Sequence, residues 1–531
     1  MNHLAKHTCL GLAVILGLSA IAAAQSVETK HANVPVTDMN AQAQIQHLRQ
    51  LRESLADDPF RPLYHFSPPG YGIHDVAGLC AWQGKYHLFY LIVVPGVPGY
   101  GRGHAVSDDL VHWQDLPVLP KRIFGGTGQA WADKDRVILS TGFTVNTTSD
   151  PMAGPWKQAD PMSLKSPRPQ GKFGDNCLWR EGDYYYVVTN GELKHTSLEI
   201  KRSKDLAKWE SMGIYFEDTY FTDPGTDCSC PNVLPIGNGK HLLLFFSHNQ
   251  GSKYYIGTSD VEQGRFTIEE HGRAIYGPIE RGSLHAPSAF VDPKGRCIAM
   301  WNMTTCLIRN GGVKKQVYTL ARQLALSGLP ASGMGIGSTA VRRQINPLSI
   351  KPIEELKTLR FNPAKVENMV IPANGEKILP GINGQAMELE VVIHPQQARE
   401  VGLRVLRSPH GEEQTTISLL TNTSPPPTNN RELMVDLSQT SLSSNVGSRT
   451  PEIGPLFLKN GEPLRLRVFI DRSIIEVFAN DRQCLTVRVY PTRSDSTQVS
   501  VFARGNQAKL VTLNAYQMRS IWPELKHREG Q

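Results

Sequence analysis

The amino-acid sequence predicts an all-β fold, a five-bladed β-propeller followed by a β-sandwich. From Arg61 to about position 340 the chain consists of short β-rich runs, such as "KYHLFYLIVV" and "KHLLLFFS". Gly, Pro, Asn and Asp separate these runs, and hardly any helical periodicity is present. The same region contains a repeat, which predicts the propeller, and a second alternating region follows it.

The repeat consists of a hydroxyl residue, an Asp and an aromatic residue several positions later. Its four copies are "SDDLVHW", "TSDPMAGPW", "SKDLAKW" and "TSDVEQGRF", which start at positions 107, 148, 203 and 258. The Asp and the hydroxyl residue are expected to cap a turn. A period of ~40–55 residues with several strands per unit is typical of a propeller blade. The region is about 280 residues long, which at that period allows five blades.

The C-terminal part predicts a second all-β domain. A Gly/Ser-rich stretch, "SGLPASGMGIGST", ends the repeat region at positions 327–339. The next segment, "KPIEELKTLR", predicts a short helix with Pro352 in its first turn. Alternating runs such as "LRLRVFIDRSIIEVFAND" then predict a sandwich. We therefore predict a propeller at 61–345, a short linker helix at 346–360 and the sandwich at 361–531.

The N-terminus has the pattern of a secretory signal peptide over residues 1–24. Lys6 and His7 precede an apolar run that ends in three alanines before Gln25. A membrane anchor is the alternative, but a spanning helix needs ~20 apolar residues and this run is shorter. We expect a secreted or periplasmic protein with no membrane insertion. Residues 25–60 form a polar leader, with a short helix predicted around 41–55.

Charge and cysteine content exclude several classes of function. The formal net charge is +7, but the basic residues are scattered, so we expect no nucleic-acid binding. Removal of the signal leaves seven cysteines, an odd number without regular spacing, which is not a disulfide framework. The pair Cys228 and Cys230 has no matching pair at a zinc-site spacing. We expect no metal and no cofactor.

A propeller gathers side chains from its blades around a funnel at its axis, so carboxylates in the segments that open the units are expected to meet there. Asp75 precedes the strand of "GKYHLFY", and Asp175 stands in the same relation to the strand of "GDYYYV". The third segment, "TDPGTDCSCPNVLP", contains Asp223, Asp227 and Ser229. All three segments share a polar turn, an apolar pair, a Gly-containing hairpin and a long strand.

These segments resemble glycoside hydrolase family 32, the invertase, levanase and inulinase group. "RPLYHFSPPGYGIHDVAGL", "GRGHAVSDDLVHW", "FGDNCLW", "CSCPNVLP", "LHAPSAFVDPKGRCIAMWNM" and "FIDRSIIEVFANDRQCLTVRVYP" are similar to successive blocks of that family. The resemblance implies a retaining hydrolase of a β-fructofuranoside of the sucrose, levan or inulin type. It further implies that Asp75 is the nucleophile, that Asp175 is the transition-state stabiliser, and that Ser229 occupies the position of the acid/base Glu.

Ser229 cannot act as the acid, because a serine hydroxyl holds its proton too tightly near neutral pH. Asp227, two residues earlier, is the candidate substitute, and Asp223, Glu192 and His285 are further alternatives. The leaving group could also need little protonation. Two other functions therefore stay open, a non-catalytic carbohydrate-binding propeller and a glycosidase of a different substrate class on the same scaffold.

Several residues around the predicted funnel are candidates for binding a carbohydrate substrate. His74 neighbours Asp75, and Asn176 neighbours Asp175. Arg281 would suit an anionic substrate. Aromatic residues could stack on a sugar face or pack between blades: Tyr64, Trp82, Phe124 and Trp131.

Overall fold

The computed structural model describes residues 36, 39–70, 72–93, 100–120, 123, 126–142, 144–159, 175–190, 195–223, 225–278, 284–304, 316–329, 347–421, 430–447 and 449–528. The predicted signal peptide lies outside these residues, as do Phe124, Glu192 and Arg281. None of the described helices is both long enough and apolar enough to cross a membrane.

The first part of the chain forms five antiparallel sheets in sequence order. The first sheet contains β1 (Ile73–Trp82), β2 (Lys85–Val93), β3 (Tyr100–Ser107) and β4 (Trp113–Leu116). The second contains β5 (Ala130–Ala132), β6 (Val137–Thr141), β7 (Thr144–Thr148) and β8 (Lys157–Gln158). The third contains β9 (Asn176–Glu181), β10 (Tyr184–Asn190), β11 (Thr196–Ser203) and β12 (Glu210–Asp218). The fourth contains β13 (Ser229–Gly237), β14 (Lys240–Ser247), β15 (Gly251–Asp260) and β16 (Arg265–Arg273). The fifth contains β17 (Leu284–Val291), β18 (Cys297–Met303), β19 (Val317–Tyr318), β20 (Arg322–Leu326) and β21 (Leu348–Pro352).

The first strands of the five sheets close into a ring. β1 contacts β5 and β17, β5 contacts β9, β9 contacts β13, and β13 contacts β17. Each sheet therefore radiates outward from a shared axis, which is the geometry of a propeller blade. The predicted five-bladed propeller is confirmed, and its funnel is lined by these five inner strands.

The sequence repeat marks one position in the first four blades, the turn between the third and fourth strands. Asp109 accepts hydrogen bonds from the backbone N–H groups of Val111 and His112, at 2.9 and 2.8 Å. Asp150 and Asp205 accept the equivalent pairs of bonds in the second and third blades. The repeated Asp thus caps the turn, as its spacing predicts.

The C-terminal domain is a sandwich of two six-stranded sheets. Its strands are β22 (Arg360–Ile371), β23 (Gly375–Asn383), β24 (Ala386–His394), β25 (Glu400–Arg407), β26 (Thr415–Leu420), β27 (Asn430–Asp436), β28 (Glu452–Phe457), β29 (Leu464–Asp471), β30 (Ile474–Ala479), β31 (Gln483–Arg488), β32 (Gln498–Arg504) and β33 (Ala508–Met518). One sheet has the order β22-β33-β24-β29-β30-β31 and the other the order β23-β32-β25-β26-β27-β28. Inward-facing aliphatic side chains of both sheets form one core. The predicted β-sandwich is therefore confirmed.

The linker between the two domains differs from the prediction. Residues 348–352 form β21, which pairs with β20, so the fifth blade extends beyond position 345. Only Glu354–Leu359 is helical, and it is a single 3₁₀ segment that ends where β22 begins at Arg360. Strand pairing satisfies the backbone of residues 348–352, and this outweighs the local helix signal of Pro352 and the glutamates.

The described part of the chain has two further helices outside the sheets. Helix α1 (Ala41–Ser54) begins at Asn40, whose side chain accepts a hydrogen bond from the backbone N–H of Ala43. Its buried Arg52 pairs with Asp115 of β4 at 2.6 Å, so this part of the polar leader packs on the first blade. A 3₁₀ helix, Pro523–Arg528, follows β33.

Candidate active site

The inner strands begin at one end of the propeller, and three of them are irregular there. The pairing register shifts between Ile73 and Val76 in β1, between Ser229 and Asn232 in β13, and in β17 next to His285. Such bulges bend a strand and redirect its side chains, and they are frequent beside active sites. The irregularities bring side chains from several blades together at the mouth of the funnel.

Asp75 lies at the centre of this group and is 8% exposed. One carboxylate oxygen, Oδ1, lies 2.6 Å from Nδ1 of His74 and 3.2 Å from Nε2 of His285. The other oxygen, Oδ2, accepts a hydrogen bond from the hydroxyl of Thr127. Burial alone would raise the pKa of Asp75, but the hydrogen bonds from His285 and His74 outweigh it and lower this pKa below its usual range. Asp75 is therefore an ionised carboxylate in a buried position.

The backbone around Asp75 is fixed from the fifth blade. The hydroxyl of Tyr318, which is fully buried, donates to the carbonyl oxygens of His74 and Asp75 at 2.9 and 3.2 Å. Arg102 is also fully buried and donates to the carbonyl oxygen of Gly126 at 2.6 Å. Burial lowers the pKa of Arg102 to about 10, while the charge of Asp75 acts in the opposite direction. A buried positive charge therefore supports the negative charge of Asp75.

Asp175 is the second carboxyl group at the funnel mouth. It directly precedes β9, is 8% exposed, and its Oδ2 accepts hydrogen bonds from the backbone N–H of Cys230 at 3.1 Å and from the Cys230 thiol at 3.5 Å. Burial, reinforced by the negative charge of Asp75, raises the pKa of Asp175 to about 7. Asp75 and Asp175 thus act on each other electrostatically, as two carboxyl groups of one site do.

Ser229 and Asp227 form a third polar group at the start of β13. The Ser229 hydroxyl donates to Oδ2 of Asp227 at 2.6 Å. Burial would raise the pKa of Asp227, but hydrogen bonds from His248 and Ser229 outweigh it and lower this pKa. A general acid must hold its proton near the working pH, so the geometry argues against Asp227 as the substitute proton donor. Asp223 instead accepts a hydrogen bond from Gln250 at 2.8 Å.

His248 was missed by sequence reasoning. It follows β14, and its Nδ1 lies 2.6 Å from Oδ2 of Asp227, while its backbone N–H donates to Oδ1 at 2.9 Å. The hydrogen bond that His248 donates to Asp227 raises the pKa of His248, burial opposes this, and the charges of Asp227, Asp175 and Asp75 raise it further. The only available signal was topological: the end of β14 lies beside the start of β13, where Ser229 was expected in the site.

A polar network closes the funnel beneath the carboxylates. The side chain of Gln129 donates to Oδ1 of Asn232 and accepts a hydrogen bond from the Ser288 hydroxyl at 2.9 Å. Asn232 in turn donates to the carbonyl oxygen of Pro287 at 3.0 Å. These residues stand on or next to β5, β13 and β17, so the network joins three inner strands below Asp75.

The remaining predicted substrate contacts have different outcomes. His74 lies at the funnel mouth with 35% of its side chain exposed and its ring 5.0 Å from that of Tyr100, so it is available to a ligand. Asn176 is 1% exposed and donates to the carbonyl oxygen of Gly142 at 2.6 Å. Its amide nitrogen thus bonds across two blades, and its role as a sugar contact stays a prediction. The predictions for Phe124 and Arg281 fall outside the described residues.

The aromatic candidates that the structure describes pack within the protein. Trp131, in β5, packs against two hydrophobic clusters, one of the second and third blades and one of the third and fourth blades. Trp82 packs against the cluster around Phe89 and Trp156. Tyr64 is buried, and its hydroxyl donates to the carbonyl oxygen of Ile470 in the sandwich at 2.7 Å. The arrangement favours a structural role for all three.

One group of side chains has the composition of a metal site. Ligand atoms of His74, Asp75 and His285 all lie within 4.8 Å of one another. Nδ1 of His74 is 2.6 Å from Oδ1 of Asp75, whereas ligands at ~2.0–2.1 Å on a tetrahedral zinc ion are about 3.3 Å apart. The two atoms are therefore closer together than two ligands of one zinc ion, and the separation is that of an ion pair. The six described cysteines are free and buried.

Comparisons with known proteins agree with the architecture. The N-terminal domain model of glycosyl hydrolases family 32 matches residues 65–329, and the C-terminal domain model of the same family matches residues 355–517. The levanase of Bacillus subtilis (strain 168) is 25% identical over 528 residues of alignment, and the alignment covers 88% of this chain and 72% of the relative. An insoluble isoenzyme of beta-fructofuranosidase from Arabidopsis thaliana is 24% identical, with coverage of 87% and 91%.

Solved structures share the fold. The crystal structure of fructan 1-exohydrolase IIa from Cichorium intybus matches with a TM-score of 0.74 at 19% identity, covering 87% of this chain and 98% of that chain. Sucrose-6-phosphate hydrolase from Lactobacillus gasseri matches with a TM-score of 0.69, covering 93% and 99%. Both family models match in the order in which the propeller and the sandwich occur, and together they span most of the sequence. The chain belongs to glycosyl hydrolases family 32.

Proposed function

We propose that this protein is an exported, retaining glycoside hydrolase that cleaves β-fructofuranosidic bonds of the sucrose, levan or inulin type. One observation carries the proposal: Asp75 is a buried, ionised carboxylate at the funnel mouth, electrostatically coupled to a second carboxyl group, Asp175. The relatives named above support the substrate class, since they are a levanase, a beta-fructofuranosidase and a fructan exohydrolase. A related structure from Cichorium intybus was solved in complex with 1-kestose.

In the proposed reaction Asp75 attacks the anomeric carbon of the fructosyl unit as the bond to the leaving oxygen breaks. An ionised carboxylate suits this role, because the transition state has oxocarbenium character. The covalent fructosyl-enzyme is then hydrolysed by water, which restores Asp75. The leaving oxygen must gain a proton in the first step, and the water must lose one in the second.

Three side chains hold Asp75 in one orientation. Thr127 holds one oxygen, and His74 and His285 lie against the other, so the carboxylate has a fixed orientation. Preorganised groups of this kind need no rearrangement during the reaction. Asp175, in its ionised form, would accept hydrogen bonds from sugar hydroxyls as positive charge develops on the ring.

Export is the part of the proposal that rests on sequence alone. Residues 1–24 have the composition of a cleaved signal peptide. Expression of the full chain in a bacterial host should give a protein outside the cytoplasm that starts at Gln25. Mass spectrometry of the exported protein measures this, and an uncleaved chain held in the membrane would contradict it.

A sugar-binding protein without hydrolysis is the second candidate, and Ser229 is the observation that favours it. A hydroxyl at the acid/base position removes a contribution worth ~10²–10⁴-fold in rate. The two functions differ in one measurement, the release of fructose from sucrose, 1-kestose or levan by the purified protein.

Asp75→Asn tests the enzyme directly. The variant keeps the size of the side chain but lacks the nucleophile, so kcat/KM should fall by ~10⁴-fold or more, while titration calorimetry should still show sugar binding. Asp108→Asn is the control, because Asp108 is exposed in an outer turn of the first blade. If the unmutated protein releases no fructose, or if Asp75→Asn releases it at the normal rate, the proposal is wrong.

A further inference from the structure

We infer that His248 is the proton donor and acceptor of this reaction, and that Asp227 and Ser229 position it. The inference rests on the proposed function, because it assigns the acid/base step of that same site. It also gives Ser229 a role, although a hydroxyl cannot replace the carboxylic acid expected at its position.

The position of His248 follows from the topology of the fourth blade. β13 and β14 are antiparallel, and Ser229 at the start of β13 pairs with Phe246 near the end of β14. His248 begins the turn between β14 and β15, so it lies at the same end of the propeller as the start of β13. Its side chain is 57% exposed there, which leaves the ring accessible to a substrate.

A row of rings connects His248 to the nucleophile. The ring of Phe246 lies 5.0 Å from that of His248 and 5.6 Å from that of His285. Nε2 of His285 is in turn 3.2 Å from Oδ1 of Asp75. His248 and Asp75 therefore belong to one wall of the funnel, formed by the first, fourth and fifth blades.

Asp227 gives the imidazole a defined orientation. Its carboxylate contacts both the backbone N–H and Nδ1 of His248, at 2.9 and 2.6 Å. A carboxylate held against Nδ1 fixes the tautomer and leaves Nε2 for proton transfer. The Ser229 hydroxyl donates to the same carboxylate oxygen at 2.6 Å, so it holds Asp227 in place.

The charges around His248 favour its protonated form. Three carboxyl groups act on it: Asp227 by direct contact, and Asp175 and Asp75 from the funnel. The hydrogen bond to Asp227 and these charges raise the pKa of His248 against the effect of burial, which favours the proton that a general acid must carry. The neighbouring Phe246 ring contributes no charge.

His248 gives up one proton in the first step and regains one in the second. In the first step Asp75 bonds to the anomeric carbon, the glycosidic C–O bond breaks, and Nε2–H of the His248 imidazolium passes its proton to the leaving oxygen. In the second step neutral His248 takes a proton from water as the water oxygen bonds to the anomeric carbon. The bond between that carbon and Asp75 breaks in the same step, and both side chains return to their starting forms.

Asp175 is the competing donor, because its pKa of about 7 also lets it hold a proton near neutrality. Its Oδ2 accepts hydrogen bonds from the backbone N–H and the thiol of Cys230, and both bonds favour the ionised form of Asp175. Experiment separates the two assignments, because replacement of His248 removes the proton donor only if His248, and not Asp175, is that donor.

The test compares His248→Gln with the matched control His112→Gln in the full chain. His112 has the same kind of pair, with Nδ1 2.7 Å from Asp109 and 50% side-chain exposure, but it lies in the outer turn of the first blade. With sucrose, His248→Gln should lower kcat/KM by ~10²–10⁴-fold, while His112→Gln should leave it unchanged. With 4-nitrophenyl β-D-fructofuranoside, whose phenolate leaves without a proton, the loss in kcat/KM should be less than ~10-fold.

Two further readouts separate proton transfer from structure. The unmutated protein should lose activity on sucrose at alkaline pH as His248 deprotonates, and His248→Gln should lack this limb. Azide needs no general base, so it should raise kcat of His248→Gln on the nitrophenyl substrate and yield fructosyl azide. Thermal unfolding of both variants should match that of the unmutated protein, since both side chains are in exposed turns.

The possible outcomes separate a failure of the His248 assignment from a failure of the proposed hydrolase function. An unmutated protein that cleaves sucrose, with His248→Gln as active as His112→Gln, would overturn the His248 assignment and keep the hydrolase. Equal losses on sucrose and on the nitrophenyl substrate, without azide rescue, would also overturn it. An unmutated protein that cleaves no fructoside would overturn both.

Discussion

At the scale of single residues, the site separates two carboxyl groups by their surroundings. Hydrogen-bond donors surround Asp75 and lower its pKa, whereas burial and the charge of Asp75 raise that of Asp175 to about 7. The two acids of this pocket therefore titrate in different pH ranges. The same arrangement has a cost in stability, which can be measured.

Asp175→Asn should stabilise the folded protein above neutral pH. A raised folded-state pKa means that Asp175 favours folding most at low pH and loses this contribution as pH rises through about 7. The asparagine side chain of the variant does not ionise and has no such loss. The free energy of unfolding of Asp175→Asn should therefore exceed that of the unmutated protein by an amount that grows by up to about 4 kcal/mol between pH 4 and pH 8. Urea unfolding across that range measures it.

The control for this experiment is Asp108→Asn, which removes an exposed carboxylate from the same propeller. A difference between Asp175→Asn and the unmutated protein that does not change with pH would refute the electrostatic account. Activity should fall in Asp175→Asn at every pH, because the variant cannot offer an ionised carboxylate to the sugar.

Sequence reasoning found the carboxylates but not their partners. Asp75, Asp175 and the Asp227 to Ser229 segment were identifiable because each lies in a recognisable block that opens a blade. Thr127 and His248 were missed because each reaches the site from another segment, and only the closed ring of blades brings them there. Asn176 is predicted as a substrate contact because it neighbours Asp175, and its side chain is buried.

At the scale of secondary-structure elements, the funnel depends on close contact between neighbouring inner strands. Gly128 shows this most directly: a Cβ atom there would lie 1.9 Å from the carbonyl oxygen of Ser140 in β6. Its neighbours Thr127 and Gln129 bond Asp75 and Asn232. The glycine therefore lets this segment approach the second blade and present both side chains to the funnel.

Gly128→Ala should destabilise the protein and reduce its activity. The added Cβ atom would clash with backbone, so the segment must shift. This shift should lower the free energy of unfolding by ~1–3 kcal/mol. It should also weaken the hydrogen bond from Thr127 to Asp75. Gly126→Ala is the matched control, because a Cβ atom at that position meets nothing within 4 Å. Equal unfolding midpoints and equal kcat/KM values for the two variants would contradict this account.

Secondary-structure elements are predictable from the sequence where the local residue pattern agrees with the strand pairing of the fold. The Ser/Thr and Asp repeat predicted the blade turns, and the structure places each copy after the third strand of its blade. The segment at 346–360 was predicted as helix because the partner strand of residues 348–352, which lies more than twenty residues earlier, leaves no local signal.

At the scale of the whole molecule, buried charges join the propeller to the sandwich. Asp471 accepts hydrogen bonds from the backbone N–H of Leu63 at 2.7 Å and lies 2.7 Å from Nδ1 of His65. Glu476 pairs with Arg322 of the fifth blade at 2.8 Å, with both side chains fully buried. Both acids belong to the "FIDRSIIEVF" segment, so this block of sequence serves the interface between domains.

Glu476→Gln should destabilise the molecule by about 3–5 kcal/mol, because it leaves the charge of Arg322 buried without its partner. Calorimetry should show a lower unfolding temperature. Glu367→Gln is the control, since Glu367 forms a surface pair with Lys365 and should change little. A Glu476→Gln protein as stable as the control would show that the buried pair does not hold the two domains together.

The central claim of this account is that Asp75 attacks the fructosyl carbon and forms a covalent intermediate with retention of configuration. Reaction of the protein with sucrose in the presence of methanol tests it, because methanol can intercept the intermediate from the face that the leaving group vacated. Carbon NMR of the products should show methyl β-D-fructofuranoside, and Asp75→Asn should form none. Methyl α-D-fructofuranoside as the transfer product would contradict the claim.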